Sequence, residues 1–226
     1  MDWTALSVSL QLAGLTVLVL LPVAIFGGRF LAMRDFWGKG FVEALIAVPL
    51  VLPPTVLGFY LLVTLGGTSP IGQAWQGLFG AQLVFSFHGL LLASIVANLP
   101  FALQPAQRGF EAIAPDILEA AACCGMSKAR ALWSVELPLA WPGILTAMVL
   151  TFAHTLGEFG VVLMVGGSIP GETRTIAIAI YDRVQAFDTA GAASMSALLL
   201  AMSVGTITLT FWLSRRVGRR VGRRYG

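Results

Sequence analysis

Five stretches of this chain run for roughly twenty residues with almost no charge: approximately Leu6 to Phe26, Phe41 to Leu65, Leu83 to Ala106, Pro142 to Val165 and Gly191 to Leu213. The hydrocarbon core of a bilayer is about 30 Å thick, and a helix crosses it in about 20 apolar residues, so runs of this length predict spanning helices. Composition leaves little room for anything else. Of the 226 residues 57% are hydrophobic and 11% charged, far from the proportions of a soluble globular domain. The predicted fold is all-α, a polytopic membrane protein with five spanning helices. No Lys or Arg precedes the first run, which therefore lacks the basic region of a cleavable signal and is expected to stay as a helix.

An odd number of crossings puts the termini on opposite sides, and the cations indicate which is which, because Lys and Arg are retained on the cytoplasmic side. With the N-terminus outside and the C-terminus inside, Arg29, Arg34, Lys39, Arg108, Lys128, Arg130 and the tail residues Arg215, Arg216, Arg219, Arg220, Arg223 and Arg224 all lie inside. Only Arg174 and Arg183 then lie outside, whereas the reverse arrangement exports twelve of the fourteen cations. Trp3, Trp37, Trp75, Trp133, Trp141 and Trp212 fall at or beyond helix ends, where an indole prefers the headgroup region. Arginines directly after a spanning helix read as topology anchors and contacts to anionic membrane lipid, not as a nucleic-acid site. Cys123 and Cys124 have neither zinc-ligand spacing nor favourable disulfide geometry, and are expected to be small buried residues.

The longest segment between crossings, residues 107–141, is charged yet reads as helical. Ala114-Pro115-Asp116 suits a helix start, because proline in the first turn gives up no needed donor. Gly125 is a natural helix stop and Ser127 a cap for a second helix, which Pro138 is expected to close. A structured helix-turn-helix on the cytosolic side implies a partner. On the outer side, residues 66–82 should form a loop with at most a short interfacial helix, and Thr173 to Phe187 a surface or re-entrant helix.

Inside the second crossing, Pro49, Pro53 and Pro54 free backbone carbonyls that must find protein or a wet cavity. They mark either a structural kink or the lining of a transport path. In the last crossing Ala193, Ala197, Ala201 and Gly205 make a small-residue face that lets another helix approach closely. Glu158 stands inside the fourth crossing, four residues after His154, and a charge there costs about 2.5 to 3.5 kcal/mol on insertion scales. It is open to three readings: a hydrogen-bonded carboxyl near the outer helix end, a gate, or an acid/base pair with His154. The last requires a nucleophile or a metal triad, and the His-Glu-x-x-His pattern is absent. So is a phosphate-binding loop, since Gly38-Lys39 has no upstream glycine and no following hydroxyl. Any use of ATP must come through a partner.

Glu119-Ala120-Ala121, three residues, Gly125, nine residues, Val135, one residue and Leu137-Pro138 resembles the cytosolic motif of ABC importer permeases, with Val135 where isoleucine is usual. Leu50 to Pro54, Gly157-Glu158-Phe159-Gly160 and Ile169 to Thr175 are similar to the molybdate/tungstate branch of that family. The resemblance implies an ABC type I importer permease fold in a single transmembrane domain, 1–226, with 107–141 as its coupling-helix loop. Glu119, Ala120, Ala121, Gly125, Val135, Leu137 and Pro138 would then couple to the ATPase. Pro53, Pro54, His154, Glu158, Phe159 and Gly160 would line the translocation path or gate, and Glu172 and Arg174 would dock a binding protein. Implied partners are a second copy of the chain, two ATP-binding cassette subunits and an extracytoplasmic molybdate-binding protein. No cofactor or metal is expected in this chain, ATP and Mg belonging to the ATPase. The implied setting is a bacterial or archaeal cytoplasmic membrane. Another oxyanion such as sulfate is the nearer alternative cargo; an intramembrane enzyme using His154 and Glu158 is the distant one.

Overall fold

A computed structural model describes the backbone of residues 1–225 and side chains through residue 208. Helix α1 (Trp3–Met33) opens on Asp2, whose carboxylate accepts the Ala5 N–H at 2.9 Å, and continues through Pro22. Then follow α2 (Lys39–Val51), α3 (Pro54–Leu65), α4 (Pro70–Phe79), α5 (Phe87–Glu111), α6 (Pro115–Cys123) and α7 (Lys128–Ala131). A π-helical turn, Leu132–Glu136, joins α7 to α8 (Leu137–Gly157), and α9 (Gly160–Gly166), α10 (Ile176–Gln185) and α11 (Thr189–Tyr225) complete the order. Four helical stretches are long and apolar enough to cross a membrane, and the bent pair α2/α3 makes a fifth crossing if it is counted as one. The tail arginines and Trp212 lie outside the residues whose side chains are described.

Helices α1, α5 and α8 form the centre of the bundle. Their contact surface includes Leu20, Ala24, Ala106, Phe110, Ile144 and Ala147, all nearly inaccessible. A Cβ on Gly143 of α8 would sit 2.6 Å from both Gly109 Cα and Pro105 O of α5, so these two helices meet backbone to backbone. Deeper in, Thr16 donates to Ser94 Oγ at 3.1 Å, joining α1 to α5. Pairing of Thr16 with Ser94 and of Gly28 with Ala106 makes α1 and α5 parallel, while Gly109–Gly143 and Asn98–His154 make α5 and α8 antiparallel. Arg29, Lys39, Arg108 and residues 112–136 therefore share one end of the bundle. Residues 66–82 and 167–188 share the other.

Several sequence expectations change. The second crossing is two helices meeting at 110°, because Pro53 and Pro54 remove two consecutive donors and hold Leu52 extended (ψ 137°). The fourth run also breaks: α8 ends at Gly157, and Glu158 is its extended cap and not a mid-helix residue. Pro138 does not close the second cytosolic helix. The π turn before it bonds Leu137 N–H to Leu132 O, five residues back, and this wider turn admits a ring that an α-helical turn would exclude. Residues 107–111 belong to α5 and 137–141 to α8, leaving 112–136 as the connecting element. Cys123 and Cys124 are exposed, because α6 buries only the Ala121 side of its surface. α10 has one exposed face, with Tyr181 and Val184, and one packed face: Ile176 and Ile178 are at most 1% exposed, and Ile176 N–H bonds to Ser9 Oγ of α1 at 2.8 Å.

Candidate functional site

The two helix breaks meet. Gly160 opens α9 directly against Pro54, where a Cβ would come within 2.7 Å of the proline Cβ, so only glycine lets the start of α9 reach the start of α3. Around this contact lies a cavity of about 370 Å³ lined by Pro49, Pro54, Thr55, Ala97, His154, Glu158, Phe159 and Gly160, among others. Of the six residues expected along a path or gate, five line it; Pro53 caps α3 and does not. Ala97 lies ten residues into α5, about 15 Å from its Phe87 end and about 21 Å from its Glu111 end. The cavity thus sits near the middle of the bundle's length, open on the side of the exposed Pro54 and Thr55, and Glu158 is not at an outer rim.

Glu158 is 6% exposed, and its Oε2 has no hydrogen-bond partner among the described residues. Asn98 of α5 lies beside its carboxyl. The same amide receives His154 Nδ1 at 3.0 Å from its Oδ1 and donates to Ser94 O at 2.8 Å. His154 stacks on Phe101 with ring centres 4.1 Å apart. So the imidazole engages the amide and the aromatic ring, and Asn98 stands between it and the carboxyl. His154 and Glu158 thus give the mostly apolar cavity polar groups, with the fully buried Asn98 behind them. Among the described residues no group of three or more His, Cys, Asp or Glu could hold a metal.

The element at the other end is compact. Pro115 takes the first position of α6, and Gly125 ends it at φ +72°, a left-handed conformation in which a side chain is strained. Met126 N–H returns to Ala121 O at 3.1 Å, closing the helix end, and Ser127 Oγ accepts Arg130 N–H at 3.3 Å to start α7. The alanines of the motif divide: Ala121 is 6% exposed and faces the bundle, while Ala120 and Glu119 face out with Gly125 and Pro138. Val135 is half-buried, and Leu137 packs on the central apolar cluster together with Leu118 of α6.

At the opposite end Glu172 is exposed, but Arg174 is committed to its own loop, donating to Ser168 Oγ at 2.9 Å and pairing with Asp182 at 3.4 Å. Asp188 caps α11 by accepting the Gly191 N–H at 2.9 Å and also pairs with Arg183. The Gly191 N–H first, then Arg183, hold its carboxyl below the ordinary carboxylate range.

Residues 22–223 match the family of binding-protein-dependent transport system inner membrane components. This chain belongs to that family. The molybdenum transport system permease protein ModB of Azotobacter vinelandii is 49% identical over 84% of this chain and 84% of its own length. The protein of the same name from Escherichia coli K12 is 35% identical over 95% and 94%. A probable sulfate transport permease from Chlorella vulgaris is more distant, at 32% over 79% of this chain and 67% of its length. The fold is shared with a solved bacterial alginate ABC transporter in complex with an alginate-bound periplasmic protein, with a TM-score of 0.73 and 17% identity over 95% of this chain and 78% of that one.

The permease is therefore a transport subunit of an ABC importer and not an enzyme, a multi-pass protein of the cytoplasmic membrane whose partners are of the ABC-transporter kind. The two molybdenum permeases named above are bacterial, and an archaeal source finds no support in them. Asn98 was not among the expected site residues, although an amide within the charge-free run Leu83 to Ala106 is the kind of intramembrane polar group that marks a pathway. Arg29 and Glu136, which pair across 107 positions, carry no local sequence signal for that pairing.

Proposed function

We propose that this permease passes molybdate, or the similar tungstate, from an extracytoplasmic binding protein to the cytoplasm by alternating access. Its N-terminus lies outside and its C-terminus inside, and two copies assemble with two ATPase subunits that hold ATP and Mg. The observation that carries the path is the meeting of two helix breaks on one cavity, because interrupted backbone is tolerated at membrane depth only where it packs on protein or lines such a space. The cargo is supported by the relative at 49% identity, a molybdenum permease. The exposed stripe of Ala193, Ala197, Ala201 and Gly205 supports a second copy, since those residues face away from α8 and α10.

In this scheme the exposed Glu119, Ala120, Gly125 and Pro138 face a cleft of the ATPase, Ala121, Val135 and Leu137 hold that element against the bundle, and Glu172 meets the binding protein. Arg174 contributes by shaping the loop that carries Glu172. The cavity has one carboxyl and no cation, so it makes a passage and not a tight anion site, and selectivity rests with the binding protein. The test is reconstituted uptake. Tagged permease should bring down an ATPase subunit, and proteoliposomes with the loaded binding protein should accumulate molybdate in competition with tungstate but not sulfate. Preferred sulfate uptake would replace the cargo, and submicromolar molybdate affinity of the isolated permease would refute the weak passage.

A further inference from the structure

Arg29 near the end of α1 and Glu136 in the π turn form a forked ion pair: Arg29 Nε donates to Glu136 Oε2, and Nη2 donates to Oε1 at 2.8 Å. The Glu136 side chain is 5% exposed and that of Arg29 31%. Its surroundings are apolar, with Phe110, Ile113, Leu132 and Leu137 in the same region of the core. A buried ion pair there adds little stability over apolar packing of similar volume. What it adds is direction. Apolar side chains slide on one another, whereas two parallel hydrogen bonds between planar groups fix distance and angle together.

The location gives that stiffness a use. Glu136 follows α7 by five residues and immediately precedes α8, so displacement of the α6–α7 element reaches it through a short helical stretch. The π turn contributes one extra residue, which shifts the side-chain phase by about 100° relative to an uninterrupted helix and sets the direction of Glu136. Helix α1 is continuous for 31 residues, about 46 Å. Near its far end, Ser9 holds the first N–H of α10, next to the loop bearing Glu172. No other described ion pair joins α1 to the element between α5 and α8.

We propose that the Arg29–Glu136 pair is the tie through which movement of the cytosolic helix-turn-helix is carried into α1 and so to the opposite end of the permease. Arg29 and Glu136 are then positioning residues for transport. This rests on the importer reading above.

The test uses the full complex in proteoliposomes, with three readouts: ATPase subunit copurified per permease, unstimulated ATP hydrolysis, and hydrolysis stimulated by loaded binding protein. The double variant R29M/E136Q leaves no unpartnered buried charge. It should retain the copurified ATPase and unstimulated hydrolysis while losing stimulation about tenfold, the usual scale of coupling between two sites. The charge swap R29E/E136R should restore most of it, and Arg29→Lys, which keeps the charge without the fork, should fall between. Wild-type stimulation in R29M/E136Q overturns the tie, as does a loss that merely follows lost ATPase subunit, or a swap that assembles without rescue. If the swap does not assemble, R29M/E136Q decides alone. A wild-type complex that no loaded binding protein stimulates overturns the importer reading itself; wild-type stimulation without molybdate uptake overturns only the cargo.

Discussion

Helices α1 and α5 carry prolines and do not break, whereas the chain breaks at residues 158–159 where no proline stands. Pro100 and Pro105 lie in the packed part of α5 and Pro22 on the exposed face of α1, whose other face is buried in the trio, and in all three places the missing hydrogen bond is absorbed without a stop. Two adjacent prolines at 53–54 exceed what packing can absorb, and the second crossing turns through 110°. The fourth run stops at Glu158 and Phe159 between two glycines, against the start of α3. Helix interruption in this protein thus follows the packing environment more than the number of prolines. The central trio α1, α5 and α8 is built for closeness, and the α3/α9 side for a cavity.

The sharpest way to break that contrast is to crowd the trio. Gly143→Leu places side-chain atoms into the α5 backbone and should destabilise by about 3 kcal/mol or more, read as loss of monodisperse protein on heating in detergent. Gly157→Ala, at the break, meets nothing within 4 Å and should leave the melting temperature unchanged. Equal tolerance at both positions would remove the distinction.

Gly125→Val acts outside both regions. It imposes a left-handed conformation on a branched residue, a strain of about 1–2 kcal/mol confined to the turn. Membrane expression should persist while stimulation of the ATPase is abolished; unchanged stimulation would count against docking of this turn.

Glu158→Leu probes the cavity. Removing a buried oxygen without a partner should raise stability by about 1 kcal/mol and at the same time lower molybdate uptake, the pattern of a group kept for function. Higher stability with undiminished uptake would make the carboxyl irrelevant to passage.

The smallest effect concerns the start of α11. Because the folded-state pKa of Asp188 is lowered, its contribution is present above the ordinary carboxylate range and lost as the pH falls through the folded value. Protection of the Gly191 amide, taken as its exchange rate relative to the intrinsic rate at the same pH, should therefore fall in acid. In Asp188→Asn, which can still cap but cannot titrate, that acid dependence should vanish.

The crossings were legible because lipid leaves a chain few choices, and the charge-free runs mark them directly. Pro53 and Pro54 announced the first break by covalent chemistry alone. The second was not legible from Gly157 to Gly160, since neither glycine nor glutamate stops a helix without a neighbour to pack against. Five of the six residues named for the path share one cavity, yet Asn98, which links His154 and Glu158, escaped notice inside an apolar run. The stop at Gly125 and cap at Ser127 could be read locally. The π turn could not, because its extra residue is stabilised by packing and by an arginine more than a hundred positions away.

The two walls of the cavity differ in what their backbones permit. Pro53 and Pro54 have no amide hydrogen, so the α2/α3 corner is a permanent joint. Residues 157–160 keep every donor, and nothing in their covalent structure prevents α8 and α9 from fusing. Each residue passing from extended to helical form shortens the chain by about 2 Å. One wall is fixed by its covalent structure; the other is held in its broken form by packing alone.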